Sequence, residues 1–517
     1  MTVPSDGGEP ASRARTYAWY VLGLLTFINL LNYLDRNVIF ALFEPIKAEL
    51  ALTDAQLGWL GSAYVLVFSL AALPFGVVSD LRSRRAVIAF GVGLWSFFTV
   101  LSGLVESYGH LFVCRAAVGI GEAAFGAAAA SLIADYYPGR GRAVAMGILS
   151  AGLVLGGGLG IWLGGTLGEA YGWRVAFMVV GAPGFACAIL AARLRDPTRS
   201  APPIALRPQV RRYRNQGISL VRQFLPTIVG LALGAAIAVV LDRRYGVASS
   251  LDAAAFAIVA GLGLAINILQ WVRQIRANQI DDTPFGGEMT TAFDEMVRAG
   301  KAVLRTPTLV YIFIGGALIS FGMNGLVGWA PTFVSRELGI STAAVSDLLG
   351  WRLLVFGALG TLAGGFVADG LRRHTESARI ITIGFGMIVG GALTIWLLLQ
   401  RDAATFKPLF AASVFFLTWY NGPIAAAIFD VVPARIGATV AGTYLLFVHL
   451  AGDAIAFPLV GALSDRFGID RAVLLLPAVA IAGGAIVLLA IRTARRDMAR
   501  VGGEPPPPLG ALPVTPL

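Results

Sequence analysis

The chain has 517 residues, 57% of them hydrophobic and only 14% charged, with a mean hydropathy of +0.75. A soluble domain carries about 45–50% apolar and about 25% charged residues, so this composition excludes a soluble enzyme, a disordered chain and a disulfide scaffold. It defines a polytopic membrane protein with a net charge of +10, in which every cation except Lys47, Lys301 and Lys407 is an arginine.

Residues Met1 to Arg15 are polar and lack a signal-peptide pattern, so the first apolar run is read as a span. Runs long enough to cross ~30 Å of hydrocarbon fall at 18–41, 56–79, 86–105, 110–136, 143–167 and 174–193. Two more lie at 224–241 and 254–272, and six follow at 308–332, 345–368, 379–400, 408–432, 438–462 and 471–491. Fourteen such runs with short connections predict an all-α bundle, because barrel strands are shorter and alternate in polarity. The expected organisation is a six-helix bundle over 1–200, a cytoplasmic linker with an inserted transmembrane hairpin over 201–306, and a second six-helix bundle over 307–497. A disordered tail over 498–517 contains Pro505 to Pro508.

Basic residues orient the spans. With the N-terminus in the cytoplasm, 28 of the 40 cations fall in cytoplasmic segments, nine in outer segments and three in spans. Both termini are therefore expected inside, in a bacterial cytoplasmic (inner) membrane. The basic stretch Arg207–Arg214 reads as a topology determinant or a site for anionic lipid. Cys114 and Cys187 sit in apolar runs and read as small core residues.

A Gly-x-x-x-acid pattern recurs at four span ends, as Gly76–Asp80, Gly165–Glu169, Gly365–Asp369 and Gly461–Asp465. With the two extra runs set aside, these end the second, fifth, eighth and eleventh spans. A second pattern, Asp-x-x-Pro-x-Arg-x-x-Ala, begins at Asp135 and again at Asp430. Second copies lie 289, 296 and 295 residues after the first, so the chain is two parallel halves, each made of two three-span units. This arrangement resembles the major facilitator superfamily. The loop Gly76-Val-Val-Ser-Asp80-Leu-Arg82-Ser-Arg84-Arg85 is similar to that superfamily's loop between spans two and three, departing from it at Leu81 and Ser83. The resemblance implies a conformational lock between the inner ends of the halves, made by Gly76, Asp80, Arg84, Arg85, Asp135 and Arg140, with Asp369, Asp430 and Arg435 in the second half.

An ionisable side chain in mid-span costs at least ~2.5–3.5 kcal/mol and must face a partner or water. Asp35 and Arg36 lie in the first span, Arg115 and Glu122 in the fourth, Arg352 in the eighth, and His449 with Asp453 in the eleventh. Arg115 and Glu122 share a helix face about 10 Å apart, and Asp35 comes to a depth near Arg115. The set is either a proton-coupling site or a fixed ion pair bracing spans one and four. His449 and Asp453, four residues apart, are a second relay or an interhelical hydrogen bond. Arg352 either touches substrate or snorkels. Phe321 and Asn324, with Tyr420 and Asn421, are candidates to line the cavity in the second half, whereas Trp329 reads as an interfacial anchor.

Asn32-Tyr-Leu-Asp-Arg36, Gly119-Ile-Gly-Glu122-Ala and His449-Leu-Ala-Gly-Asp453 together resemble the Spinster family of facilitators. That resemblance implies a proton-linked or facilitative exporter of lysophospholipids or phosphorylated sphingoid bases. It carries proton coupling to Asp35 and Glu122 and anion binding to Arg115. Organic-anion facilitators share the first string, so a sugar acid or carboxylate is the alternative substrate. No phosphate loop of a pump and no Cys/His metal cluster occurs in the sequence. The expected partners are protons, membrane lipids and a small-molecule or lipid substrate, for a monomer with no cofactor and no nucleic acid. An intramembrane lipid-modifying enzyme is the reading from another class, and it does not require duplicated halves.

Overall fold

The computed structural model describes residues 11–81, 83–137, 141–196, 292–400 and 402–502, with isolated positions between 225 and 270. Among them twelve helices are long and apolar enough to cross a membrane. Spans 1 to 6 are Arg15–Ala41, Asp54–Ala72, Arg84–Ser102, Tyr108–Tyr136, Val144–Tyr171 and Trp173–Ala192. Spans 7 to 12 are Pro307–Leu338, Thr342–Leu371, Ala378–Leu398, Ala404–Asp430, Thr439–Phe467 and Ile469–Leu489. The expected runs 224–241 and 254–272 lie largely outside the described residues, so twelve spans rather than fourteen are described.

Two units partition the chain, one comprising 1–200 with 302–505 and the other 201–301 with 506–517. In the smaller unit, the described positions between 225 and 233 and between 259 and 270 are helical. A Cβ added to Gly230 would stand 2.9 Å from the Cα of Gly263. The larger unit holds both six-span halves.

Apolar sequence alone makes these segments helical, since a helix satisfies its own backbone where water is absent. Local signals place the ends. Asp402 precedes a helix, and its carboxylate accepts from the N–H groups of Ala404 at 3.2 Å and Thr405 at 2.9 Å. Those N–H groups hold the Asp402 carboxyl below its ordinary range. Gly172 and Gly468, 296 residues apart, both take positive φ, 85° and 87°, in the turns that join spans 5 to 6 and 11 to 12. Side chains other than hydrogen are strained there, so the repeat is fixed by backbone conformation as well as by the pattern of acids.

Within the first half, span 1 packs on span 5, and span 4 on spans 2 and 3. Span 7 packs on spans 11 and 12 in the second. The halves meet where span 2 crosses span 11 and span 5 crosses span 8. We call the side carrying the ends of spans 1, 5, 7 and 11 the distal face, and the other the terminal face. On the distal face Arg336 holds Glu44 at 2.8 Å and Asp54 at 2.7 Å, while Lys47 and Ser464 each reach Asp54 at 2.5 Å. Trp329 is not an interfacial anchor: it is fully buried beside Phe43 and donates to the Phe457 carbonyl at 3.2 Å. The distal ends of spans 1, 7 and 11 converge there and remove it from lipid.

On the terminal face, the helix following span 12 runs from Ile491 to Gly502, past the expected boundary at 497. Its buried Asp497 accepts from the Thr308 N–H at 3.1 Å and from the Thr308 hydroxyl at 2.7 Å, tying it to the start of span 7. Cys114 and Cys187 are buried and unpaired.

Candidate functional site

A cavity of about 550 Å³ lies between the halves. The first half contributes Arg36, Asn37, Tyr64, Phe68 and Arg115 to its wall, and the second Asn324, Val327, His449, Asp453 and Phe457. Two arginines from neighbouring helices thus reach one space, in very different settings.

Arg115 is 1% exposed and committed to the first half. It donates to the Asp35 carboxylate at 3.0 Å and to the Asp35 carbonyl at 3.4 Å, and Asp35 also accepts from Thr99. Desolvating such a pair is repaid only by close geometry, and removing either partner costs about 3–5 kcal/mol. Arg36, the next residue along span 1, points elsewhere because adjacent helical side chains are about 100° apart. Its guanidinium sits among the rings of Tyr33, Tyr64 and Phe68, at 4.8, 4.6 and 5.0 Å from their centroids, and donates to the Tyr64 hydroxyl. Each such contact contributes about 0.5–2 kcal/mol according to its desolvation. The cage fixes the charge at the cavity wall and leaves part of it accessible.

Glu122 stands behind Arg36, its Oε2 3.8 Å from Arg36 Nε. It is 1% exposed, and neither of its oxygens has a hydrogen-bond partner. The four charges therefore fall into two pairs, Asp35–Arg115 and Arg36–Glu122, rather than one set of three. The first is hydrogen-bonded through both terminal nitrogens of Arg115, with Nε left without a partner, and the second is a 3.8 Å contact of charges.

Across the cavity, span 11 widens into a π-helical turn over His449–Asp453. This brings His449 Nδ1 to 2.6 Å from Asp453 Oδ2. Asp453 also accepts from Ser320 and, at 2.9 Å, from Asn324 Nδ2. Turns of this kind break the regular ladder and are frequent at functional sites. Phe68 joins the two walls, since it belongs to the Arg36 cage and also meets the His449 ring edge-on at 6.3 Å.

Phe321, Tyr420, Asn421 and Arg352 do not line this cavity. Phe321 is buried, Tyr420 closes a 3₁₀ turn, and Asn421 donates to Thr361 at 3.1 Å. Arg352 donates to the Leu348 carbonyl of its own helix at 2.8 Å. Among the lock residues, Arg84 pairs with Asp135 and Arg379 with Asp430, equivalent pairs within each half. Arg85 donates to the Leu194 carbonyl at 3.2 Å, and Asp369 is exposed. Arg140 and the side chains of Gly76, Asp80 and Arg435 lie outside the described residues.

Sequence reasoning missed the cage residues Tyr33, Tyr64 and Phe68. A signal was present: Tyr33 is three residues before Arg36, and Tyr64 and Phe68 share one face of span 2. It also missed a second cavity, of about 750 Å³, walled mostly by the second half, with Ile161 of span 5 from the first. Spans 7, 8, 9, 10 and 12 supply most of its wall, with Met323, Leu353, Leu397, Phe410 and Leu476 among others, and Thr394, Ser413 and Thr418 are its polar members. Val327 borders both cavities, so the apolar space abuts the charged one through a single side chain.

Two pseudo-symmetric six-span halves around a polar central cavity define a transporter architecture. The family model for the Major Facilitator Superfamily matches residues 25–452, and the chain belongs to that family. It is a transporter and not an enzyme. An MFS-type efflux pump of Mycolicibacterium smegmatis is 26% identical, over 93% of this chain and 94% of that protein. Protein spinster homolog 3 of Danio rerio is 23% identical over 95% of this chain and 89% of its own length. A galacturonate transporter of Dickeya chrysanthemi is 32% identical over 32% of this chain and 48% of its own. Among solved structures, a bacterial homolog of the human lysosomal transporter Spinster, inward-facing and occupied, superposes with a TM-score of 0.68. It shares 22% identity and covers 93% of this chain and 98% of that one.

Proposed function

We propose that the protein is a proton-coupled secondary transporter of single-chain anionic amphiphiles, with lysophospholipids and phosphorylated sphingoid bases as the substrate class. The observation that carries this reading is the adjacency, across Val327, of a cavity holding a caged arginine and a largely apolar cavity. Arg36 takes the anionic head, since Arg115 is already spent on Asp35. The chain of the ligand runs past Val327 among Leu326, Phe333 and Leu397.

Coupling follows from competition for one cation. In the empty cavity Arg36 balances Glu122 at 3.8 Å. A phosphate or carboxylate drawn to Arg36 takes that charge for itself and leaves Glu122 with no donor of its own, so a proton enters as the ligand does. By linkage, protonation of Glu122 strengthens anion binding by the same factor. Asp35 holds Arg115 as a scaffold, and His449 with Asp453 bounds the head-group site opposite. The terminal face is the cytoplasmic one, by the distribution of basic residues, in the inner membrane of a bacterium. The halves rock about this site to expose it alternately.

The galacturonate transporter among the relatives supports a second reading, transport of a sugar acid by the same Arg36. Equilibrium binding to the purified protein separates the two. The amphiphile reading expects a lysophospholipid to bind and a hexuronate to leave it bound at equal concentration. Displacement of the lysophospholipid by the hexuronate, with no dependence on chain length, would overturn it.

A further inference from the structure

The Gly-x-x-x-acid pattern has two copies whose surroundings the structure explains in detail. Asp465, at the distal end of span 11, reaches into the other half and accepts from the first N–H groups of span 2. Its Oδ1 receives Asp54 N at 2.8 Å and its Oδ2 receives Ala55 N at 2.9 Å. Glu169, at the distal end of span 5, does the same in the opposite sense, its Oε2 receiving Ala343 N of span 8 at 2.6 Å. The first four N–H groups of a helix have no partner within it, and the helix dipole favours a negative group there. Each half thus lends a carboxylate to cap a helix of the other.

The glycine four residues earlier explains the spacing. A Cβ on Gly461 would stand 2.2 Å from the Asp54 carbonyl oxygen, and one on Gly165 would stand 2.7 Å from that of Thr342. Only hydrogen at these positions lets the partner helix come close enough for the acid, one turn further along the same face, to reach its start. The described terminal-face copy, Gly365–Asp369, differs. A Cβ on Gly365 would meet nothing within 4 Å, and Asp369 is exposed.

We propose that Glu169 and Asp465 are reciprocal latches that hold the distal face shut by capping, across the seam, the first turns of spans 8 and 2. They act as a symmetric pair, and neither touches the central cavity. Their role is therefore to set the balance between distal-closed and distal-open forms, whatever the substrate.

The test is a distance distribution between spin labels on the distal face, at Y171C and R471C, in the full chain reconstituted in nanodiscs. D465A and E169A each raise the ratio of distal-open to distal-closed molecules about fivefold, the shift expected from loss of one helix cap. Together they raise it about 25-fold, since the two seams share no partners. D465N retains one of the two acceptor oxygens and shifts the distribution less than D465A, whereas E169Q keeps the single oxygen that Glu169 uses and leaves it at the parent's, which separates capping from general loss of charge. D369A does not raise the distal-open fraction. An unchanged distribution in both alanine variants, or a D465N shift as large as that of D465A, would overturn the proposal. Should D465A fail to fold, E169A and E169Q decide alone: an unchanged distribution in E169A, or an E169Q shift as large as that of E169A, would overturn the proposal.

Discussion

The two halves share a backbone plan and differ in what they place beside the cavity. Gly172 and Gly468 make the same turn, and Arg84–Asp135 and Arg379–Asp430 are equivalent pairs. Yet the first half puts two arginine–carboxylate pairs near the cavity, while the second puts His449 and Asp453 there and walls most of an apolar chamber bordered by Val327. The scaffold positions, which carry turns and helix ends, have kept their residues in both copies, whereas the positions that line the cavities have diverged. A duplicated fold can therefore present two unlike surfaces to one molecule.

Breaking the first half's charges tests this division most severely. Asp35→Asn leaves Arg115 buried without its counter-charge, and the loss of a buried partner, about 3–5 kcal/mol, is expected to show as a lower thermal midpoint and poor yield. Glu122→Gln leaves Arg36 caged and the fold intact, because the rings of Tyr33, Tyr64 and Phe68 and the Tyr64 hydroxyl hold Arg36 without it. Ligand binding persists in that variant while proton uptake on binding disappears, as a pH-sensitive dye would report. Arg36→Ala removes the anion's main partner. Charge-assisted hydrogen bonds contribute about 1.5–3 kcal/mol, so titration calorimetry should find affinity for a lysophospholipid about ten- to a hundredfold weaker.

Filling the second half's chamber sharpens the comparison from the other side. Leu397→Trp reduces the space for an alkyl chain, and at ~0.8 kcal/mol per buried methylene the cost grows with the length of chain displaced. Binding of long-chain lysophospholipids is expected to fall severalfold while short-chain analogues are unaffected. The smallest effect is outside both sites, at Asp402. Its folded carboxyl lies below the ordinary value, so its contribution is present above that value and is lost as pH falls through the lower one. Asp402→Asn should accordingly match the parent protein's stability in strong acid and trail it slightly at neutral pH.

Much of this was legible in the sequence. Hydropathy placed all twelve described spans, and the offsets near 295 gave the two halves. Mid-span charges marked Asp35, Arg36, Arg115, Glu122, His449 and Asp453, because lipid makes each of them costly. Pairing was less legible, since it depends on helix rotation: adjacent residues Asp35 and Arg36 diverge, and a seven-residue spacing does not say which acid meets which arginine. Trp329 was misread for a related reason, as a span end is normally at an interface but this one is roofed by Phe43 and Phe457. The apolar chamber left no local signature, because Leu and Phe that line a space look like Leu and Phe that fill one. The inserted runs at 224–241 and 254–272 fall mostly outside the described residues.

The central claim is that one cation, Arg36, is shared between ligand and Glu122. The most direct measurement is the number of protons taken up per lysophospholipid bound, by calorimetry in buffers of different ionisation enthalpy, for the parent protein and Glu122→Gln. The account predicts close to one proton per ligand near neutral pH in the parent and none in the variant, with binding retained in both. Equal proton uptake in the two proteins would contradict it.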